Sequence, residues 1–188
     1  MRKVAFYILN GFAVLAAAFI SGYAFEDPGG WVAAAMTAAW VLPTIALGLL
    51  AWRYPTQMRT PLIALSAISM IVAASQAVWP HEWRDFLFRT GPVEAIATFG
   101  VVFGLNAFAR YHDELLGGAL MMLVALTPIA AVYFGSGLQR GVLGGSTSAM
   151  LLPGVVIGLV YVLDAELHKH AHHDDVSGQV KRGASATG

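Results

Sequence analysis

The sequence contains no cysteine among its 188 residues. Disulfide bonds, thiolate nucleophiles and thiolate metal ligands are therefore excluded, because each requires a cysteine sulfur. Phosphate-binding glycine loops, the G-x-S-x-G nucleophile elbow and the H-E-x-x-H zinc motif are also absent from the sequence. The usual sequence signatures of P-loop proteins, serine hydrolases and zinc metalloproteases are thus missing.

Charge is also scarce. Only 12% of the residues are charged and the formal net charge is zero, whereas a soluble domain carries about 25% charged residues. Hydrophobic residues make up 57% of the chain. A neutral chain offers no overall electrostatic attraction to nucleic acid, so none is expected as a partner. The composition instead predicts an integral membrane protein, with the lipid bilayer as its partner.

Long stretches without Asp, Glu, Lys or Arg predict an all-α polytopic membrane bundle with six transmembrane helices. A membrane-spanning helix needs about 20 apolar residues. We expect the first apolar run to be a retained span, because it is long for a cleaved signal peptide. The predicted spans are 4–25, 31–52, 61–79, 92–110, 114–134 and 147–167.

The sequence predicts one membrane domain over residues 1–168. Helix starts are indicated by Thr60-Pro61 and Gly91-Pro92, and Asp113 is a potential N-cap of the fifth helix. The outer loop 80–91 has an amphipathic pattern typical of a short interfacial helix, which would serve as an anchor or as a lid. The polar tail 169–188 is expected to be disordered.

The distribution of basic residues predicts the orientation. Six spans place both termini on one side, and that side has more arginine and lysine near the membrane than the other. The positive-inside rule therefore places both termini in the cytoplasm, and we expect a bacterial inner (cytoplasmic) membrane. The basic residues on that side are Arg2, Lys3, Arg53, Arg59, Arg110 and Lys169, against Arg84, Arg89 and Arg140.

Two short sequences recur among the predicted spans. Arg53-Tyr54 ends the second predicted span, and Arg110-Tyr111 ends the fourth. Leu42-Pro43 in the second span resembles Leu152-Pro153 in the sixth. These matches suggest a hairpin repeated three times, although short matches arise readily in apolar sequence.

The fourth span has features of a central helix. Gly100 and Gly104 form a GxxxG step that lets another helix approach closely. Glu94 lies near its start, where a carboxylate can cap the helix, or can serve as a solute or proton site because ionisable groups at membrane depth are often functional. Thr98 lies one turn deeper on nearly the same face.

A polar stripe follows the third span, formed by Ser66, Ser69 and Gln76. Such a stripe can line a narrow water path, or it can make hydrogen bonds to neighbouring helices. Together with the fourth span it defines a candidate polar path. Its members are Ser66, Ser69, Gln76, Glu94 and Thr98.

The only candidate metal site lies at the end of the sixth span. His168, His170 and His172 occur there among carboxylates, and Asp164 precedes His168 by one helical turn. Imidazole and carboxylate groups at this spacing can bind a divalent metal, but they also suit a solvated helix end. No cofactor is predicted, and the absence of histidine inside the spans argues against a transmembrane b-haem.

Three functions fit these features. The favoured one is a non-catalytic accessory or scaffold subunit that assembles with other membrane subunits or with copies of itself. The alternative is a small-solute channel or carrier with a polar path between helices 3 and 4. The third is an intramembrane enzyme acting on a lipid or quinone. Its acid–base groups would be Glu94, His81 and Asp85, or Asp164, His112 and His168.

Overall fold

The structure, a computed structural model, describes residues 3–4, 6–12, 15, 30–79, 82, 93–135, 148 and 151–168. These residues form helices and no strands. Helix α1 comprises the helical residues 3, 4, 6–12 and 15, and Glu82 and Ser148 are also helical. The other helices are α2 (Gly30–Arg53), α3 (Pro55–Val78), α4 (Val93–Tyr111), α5 (Glu114–Gly135) and α6 (Leu151–His168).

The bounds of α2, α4 and α5 agree with the predicted spans, but the start of α3 does not, and the end of the first span and the start of the sixth lie outside the described residues. We expected that helix to begin at Thr60-Pro61, and it begins at Pro55, directly after α2. Pro55 occupies the first turn, where its missing N–H removes no helical hydrogen bond. Pro61 lies inside the helix and interrupts one backbone hydrogen bond there. Because two prolines carry the same signal, the sequence did not distinguish the helix start from the interior position.

Helices α2, α4 and α6 run in the same direction. Along α2 and α4, Thr44 lies against Gly100 and the Trp52 ring contacts the Tyr111 ring, so residue numbers increase together. Along α4 and α6, Val102 lies against Gly154 and Asn106 bonds to Tyr161. We call the end where these three helices finish the Arg53 end of the bundle, and the opposite end the Trp31 end.

Helices α1, α3 and α5 run in the opposite direction to α4. For α1 and α3, the residue numbers rise along α4 while they fall along the neighbouring helix. For α5, the contact lies at the turn that joins α4 to α5. The direction of the chain therefore alternates from helix to helix. The contacts are Phe12 with Phe99 and Phe6 with Tyr111, Ser69 with Thr98 and Leu62 with Gly104, and Ala109 with Gly117.

Helix α4 lies at the centre of the bundle. From Thr98 to Ala109 every side chain or glycine is buried except Phe103, which is partly exposed. The helix packs against α2, α3 and α5. Gly100 and Gly104 allow Thr44 and Leu47 of α2 to approach its backbone. The prediction of a buried fourth helix is confirmed.

The outer surface of the bundle is strongly apolar. Large side chains such as Ile68, Ile71 and Leu42 are exposed, and Trp31 is 90% exposed. Helices α3, α5 and α6 are long and apolar enough to cross a membrane. An apolar surface of this kind is unfavourable in water and suited to hydrocarbon.

Candidate functional site

Polar side chains meet between α3 and α4 in the half of the bundle nearer the Trp31 end. The hydroxyls of Ser69 and Thr98 lie 3.1 Å apart, and either can donate to the other. Thr98 is buried and Ser69 is partly buried. The structure thus joins two of the five predicted path residues directly. We call this pair the outer polar level.

Ser66 lies one turn from Ser69 and is also buried. Its hydroxyl donates a 2.7 Å hydrogen bond to the carbonyl oxygen of Leu62 in the same helix. Ser75 makes a similar bond of 2.6 Å to the carbonyl oxygen of Val72. Serines inside helices often satisfy their hydroxyls in this way. The Ser66 hydroxyl therefore donates its proton within α3 and not to a neighbouring helix.

Of the other two predicted path residues, the structure describes the side chain of Gln76 and only the backbone of Glu94. Gln76 is only 4% exposed and lies two turns along α3 from Ser69, about 10 Å towards the Trp31 end. Glu94 is the second residue of α4, so it occupies the first turn as predicted. The placement of its side chain, and of Gly91 as its expected cap partner, lies outside the described residues.

A second polar pair lies between α4 and α6, nearer the Arg53 end. The Tyr161 hydroxyl donates a 3.1 Å hydrogen bond to Oδ1 of Asn106, and both side chains are fully buried. Among the described residues, the amide nitrogen Nδ2 of Asn106 has no hydrogen-bond partner. We call this pair the inner polar level. It presents a buried amide donor that no described protein group accepts.

An apolar residue separates the two levels. Thr98, Val102 and Asn106 follow one another at one-turn spacing along the same side of α4. Val102 is 1% exposed, and its Cγ1 atom would lie 2.8 Å from a Cβ atom at Gly154. Helix α6 therefore packs closely against α4 at this position. The described polar groups form two separate pairs rather than one continuous line.

Sequence reasoning did not identify the partner of Asn106. Neither Asn106 nor Tyr161 was among the predicted path residues. The useful signal was the GxxxG step of Gly154 and Gly158, which ends one turn before Tyr161. Gly158 brings α6 against Gly118 of α5, where a Cβ atom would lie 2.7 Å from a carbonyl oxygen.

The chemistry of both levels is that of neutral hydroxyl and amide groups. Such groups can hold helices together or bind a neutral polar molecule through hydrogen bonds. General acid–base catalysis would require a titratable group within hydrogen-bond reach of a substrate. In the described parts of the two levels, the groups in contact are Ser69, Thr98, Asn106 and Tyr161, of which only the Tyr161 phenol is ionisable, and its O–H donates to Asn106.

At the predicted metal site the structure describes one of the three histidines. His168 Nδ1 lies 2.6 Å from the backbone oxygen of Asp164 and 3.8 Å from its Oδ1 atom. The His168 side chain is 63% exposed. Among the described residues no three histidine or carboxylate side chains come together, while His170 and His172 lie outside that part of the chain.

The two sets of acid–base residues are described only in part. His81 and Asp85 lie outside the described residues. In the second set, Asp164 and His168 are close, and the ring of His112 packs edge-on against Phe108 with centroids 5.1 Å apart. His112 therefore has an aromatic neighbour within its own helical turn.

Comparison with known proteins gives no relative from which a function could be transferred. No protein-family model, curated protein or solved structure matches the chain. The function must therefore be argued from the residues and their geometry.

Proposed function

We propose that the chain is a six-span integral protein of a bacterial inner membrane, with both termini in the cytoplasm, and that it acts as a non-catalytic accessory or scaffold subunit of a larger membrane complex. The alternating direction of α1 to α6 supports six crossings. The exposed aromatic residues Trp31 and Trp79 at one end, and Trp52 and Tyr54 at the other, support two membrane interfaces.

One observation carries the proposed subunit role. Three of the buried polar side chains, Ser66, Thr98 and Asn106, bond to a neighbouring helix or to their own backbone, and Val102 separates the two levels. Hydrogen bonds between helices are a common means of association inside a membrane, where burial of apolar surface provides little driving force between spans. An interior of this kind favours a rigid structural unit over a conducting path.

The membrane orientation can be tested because the chain has no cysteine that would give background labelling. We would introduce Gly29→Cys just before α2 and, separately, Ser185→Cys in the tail. A membrane-impermeant maleimide added to intact spheroplasts should label the first variant and spare the second until the cells are lysed. The reverse labelling, or equal labelling of both, would contradict the proposed topology.

The subunit role requires a complex of defined composition. We would extract the chain from its native membrane in a mild detergent and measure the mass of the intact assembly by native mass spectrometry. We expect other chains, or further copies of this one, at a fixed stoichiometry that survives dilution. Deletion of this chain should lower the abundance of the co-assembled chains. A monomer whose loss leaves all membrane complexes intact would refute the role.

A second candidate function is a channel or carrier for a small neutral solute. The unpartnered Nδ2 atom of Asn106, together with the Ser69–Thr98 pair and buried Gln76, supports it. In proteoliposomes this function predicts flux that falls in Gln76→Leu, Glu94→Gln and Asn106→Leu. Val102→Ala should increase flux, because it removes bulk between the levels.

A matched control for the flux assay is Thr127→Val. The Thr127 hydroxyl bonds to its own helix at the carbonyl oxygen of Leu123, so its loss should leave flux unchanged. Water, glycerol and urea are suitable neutral probes. If the wild type and Val102→Ala pass none of these solutes, the transport candidate is rejected and the subunit role is strengthened.

A further inference from the structure

The recurring Arg-Tyr pairs occupy the Arg53 end of the bundle. The guanidinium carbon of Arg53 lies 5.2 Å from the centroid of the Tyr54 ring. The guanidinium carbon of Arg110 lies 5.6 Å from the centroid of the Tyr111 ring. Each arginine thus forms a cation–π contact with the tyrosine that follows it.

The fold brings the two pairs together. Trp52, which precedes Arg53, contacts the Tyr111 ring with centroids 6.3 Å apart. This contact follows from the parallel packing of α2 and α4, whose ends lie at the same level. Phe6 of α1 approaches the Tyr111 ring from another direction at 5.9 Å. We call Trp52, Arg53, Tyr54, Arg110 and Tyr111 the Arg-Tyr cluster.

Exposure and charge indicate that this cluster faces a partner. Trp52, Tyr54 and Tyr111 are between 45% and 53% exposed. Among the described residues neither Arg53 nor Arg110 forms a salt bridge with a carboxylate. Arg53 lies in the last turn of α2 and Arg110 in the last turn of α4. The negative C-terminal end of each helix dipole accounts for one arginine per helix. The dipole does not account for the contact between the exposed rings of Trp52 and Tyr111.

We propose that the Arg-Tyr cluster binds the headgroup of an anionic phospholipid in the membrane leaflet at the Arg53 end. A guanidinium stacked on an aromatic face keeps the N–H groups at its edge available for bidentate bonds to a phosphate. Tryptophan and tyrosine side chains are well suited to the headgroup depth. Two cations at the same end of the bundle favour anionic over zwitterionic lipid. The proposal rests on the membrane insertion proposed above and is independent of the subunit role.

The test measures lipid binding by the full-length purified chain. We would titrate phosphatidylglycerol and phosphatidylcholine in mixed micelles and follow the apparent melting temperature. The wild type should be stabilised by phosphatidylglycerol and much less by phosphatidylcholine. In Arg53→Gln/Arg110→Gln the concentration of phosphatidylglycerol needed for half the effect should rise roughly 30-fold, since two interfacial cations are removed.

Arg59→Gln is the matched control, because Arg59 is an exposed arginine near the same end of the bundle and outside the cluster. It should retain the preference for phosphatidylglycerol. An equal loss in Arg59→Gln would show that overall charge, not the cluster, attracts the lipid. Equal stabilisation of the wild type by both lipids, or by inorganic phosphate at the same concentration, would overturn the proposal.

A second measurement covers the case in which the double variant does not fold. Brominated phosphatidylglycerol should quench wild-type tryptophan fluorescence more than brominated phosphatidylcholine does, and Trp52→Phe should remove most of this difference. An unchanged difference in Trp52→Phe would refute the site. Failure of either lipid test leaves the subunit role intact, because that role is measured by stoichiometry in native membranes.

Discussion

The Tyr161 hydroxyl on α6 donates a hydrogen bond to Oδ1 of Asn106 on α4, and both side chains are fully buried. This bond joins the central helix α4 to α6. Tyr161→Phe removes the donor and leaves the Asn106 oxygen buried. We expect the free energy of unfolding to fall by about 1 kcal/mol, as hydrogen bonds between membrane helices contribute modestly. Reversible unfolding in mixed micelles would measure it.

A double-mutant cycle separates this bond from the packing of the tyrosine ring. Asn106→Leu removes the same acceptor, together with the Nδ2 atom that has no partner. In the Asn106→Leu background, Tyr161→Phe should therefore cost less than in the wild type. Purely additive effects of the two substitutions would show that the two groups do not interact.

The contact between Gly118 and Gly158 leads to a second prediction. A Cβ atom at Gly158 would lie 2.7 Å from the carbonyl oxygen of Gly118 and 2.9 Å from the backbone nitrogen of Met122. Because these are backbone atoms, Gly158→Ala must move α5 away from α6. We expect a loss of about 1–3 kcal/mol, in the range of other overpacked substitutions. The midpoint of thermal unfolding in detergent would report it.

Gly11→Ala is the control for that substitution. A Cβ atom at Gly11 would have no neighbour within 4 Å, and alanine has the higher helix propensity. The control should be neutral or slightly stabilising. If both alanine variants unfold at the same midpoint, close backbone approach at Gly158 is not important for stability.

The Ser69–Thr98 bond predicts a difference between neighbouring serines. Ser69→Ala removes a bond between two helices, whereas Ser66→Ala removes a bond to the backbone of its own helix. We expect Ser69→Ala to lower the free energy of unfolding by about 0.6 kcal/mol and Ser66→Ala to have less effect. Equal losses would indicate that burial, and not the partner helix, determines the contribution of these hydroxyls.

The extents of α2, α4 and α5 were predictable, because hydrocarbon thickness imposes a length on apolar segments. The glycine step at Gly100 and Gly104 also predicted a central fourth helix. These features depend on one segment at a time. The start of α3 was not predictable, since both Pro55 and Pro61 carry a signal for a helix start.

The polar contacts were harder to predict, because a stripe fixes which residues share a face but not the neighbour that this face meets. Ser69 and Thr98 lay in the predicted seam and do meet there. Asn106 lay outside the predicted polar path, and its partner Tyr161 lies 55 residues away in sequence. Such a partner becomes evident only when the packing angle of the two helices is known.

The turn between α4 and α5 contains Asp113, which the sequence predicts as the N-cap of the fifth helix. Asp113 Oδ1 accepts a 2.9 Å hydrogen bond from the backbone N–H of Leu116, and the Asp113 carbonyl accepts one from Gly117. This geometry confirms Asp113 as the N-cap of α5. Asp113→Ala leaves the Leu116 N–H without its partner and should lower the free energy of unfolding by about 1 kcal/mol.

Asp113→Asn distinguishes the hydrogen bond from the charge. Asparagine caps helices about as well as aspartate, so this variant should keep most of the stability that alanine loses. Only the favourable interaction of a negative charge with the helix N-terminus would be lost, which amounts to about 0.3–1 kcal/mol at an exposed site and decreases with added salt. If asparagine were as destabilising as alanine at every salt concentration, Asp113 would not stabilise α5 through this bond. Unfolding of the three proteins at low and high salt therefore decides the role of the cap.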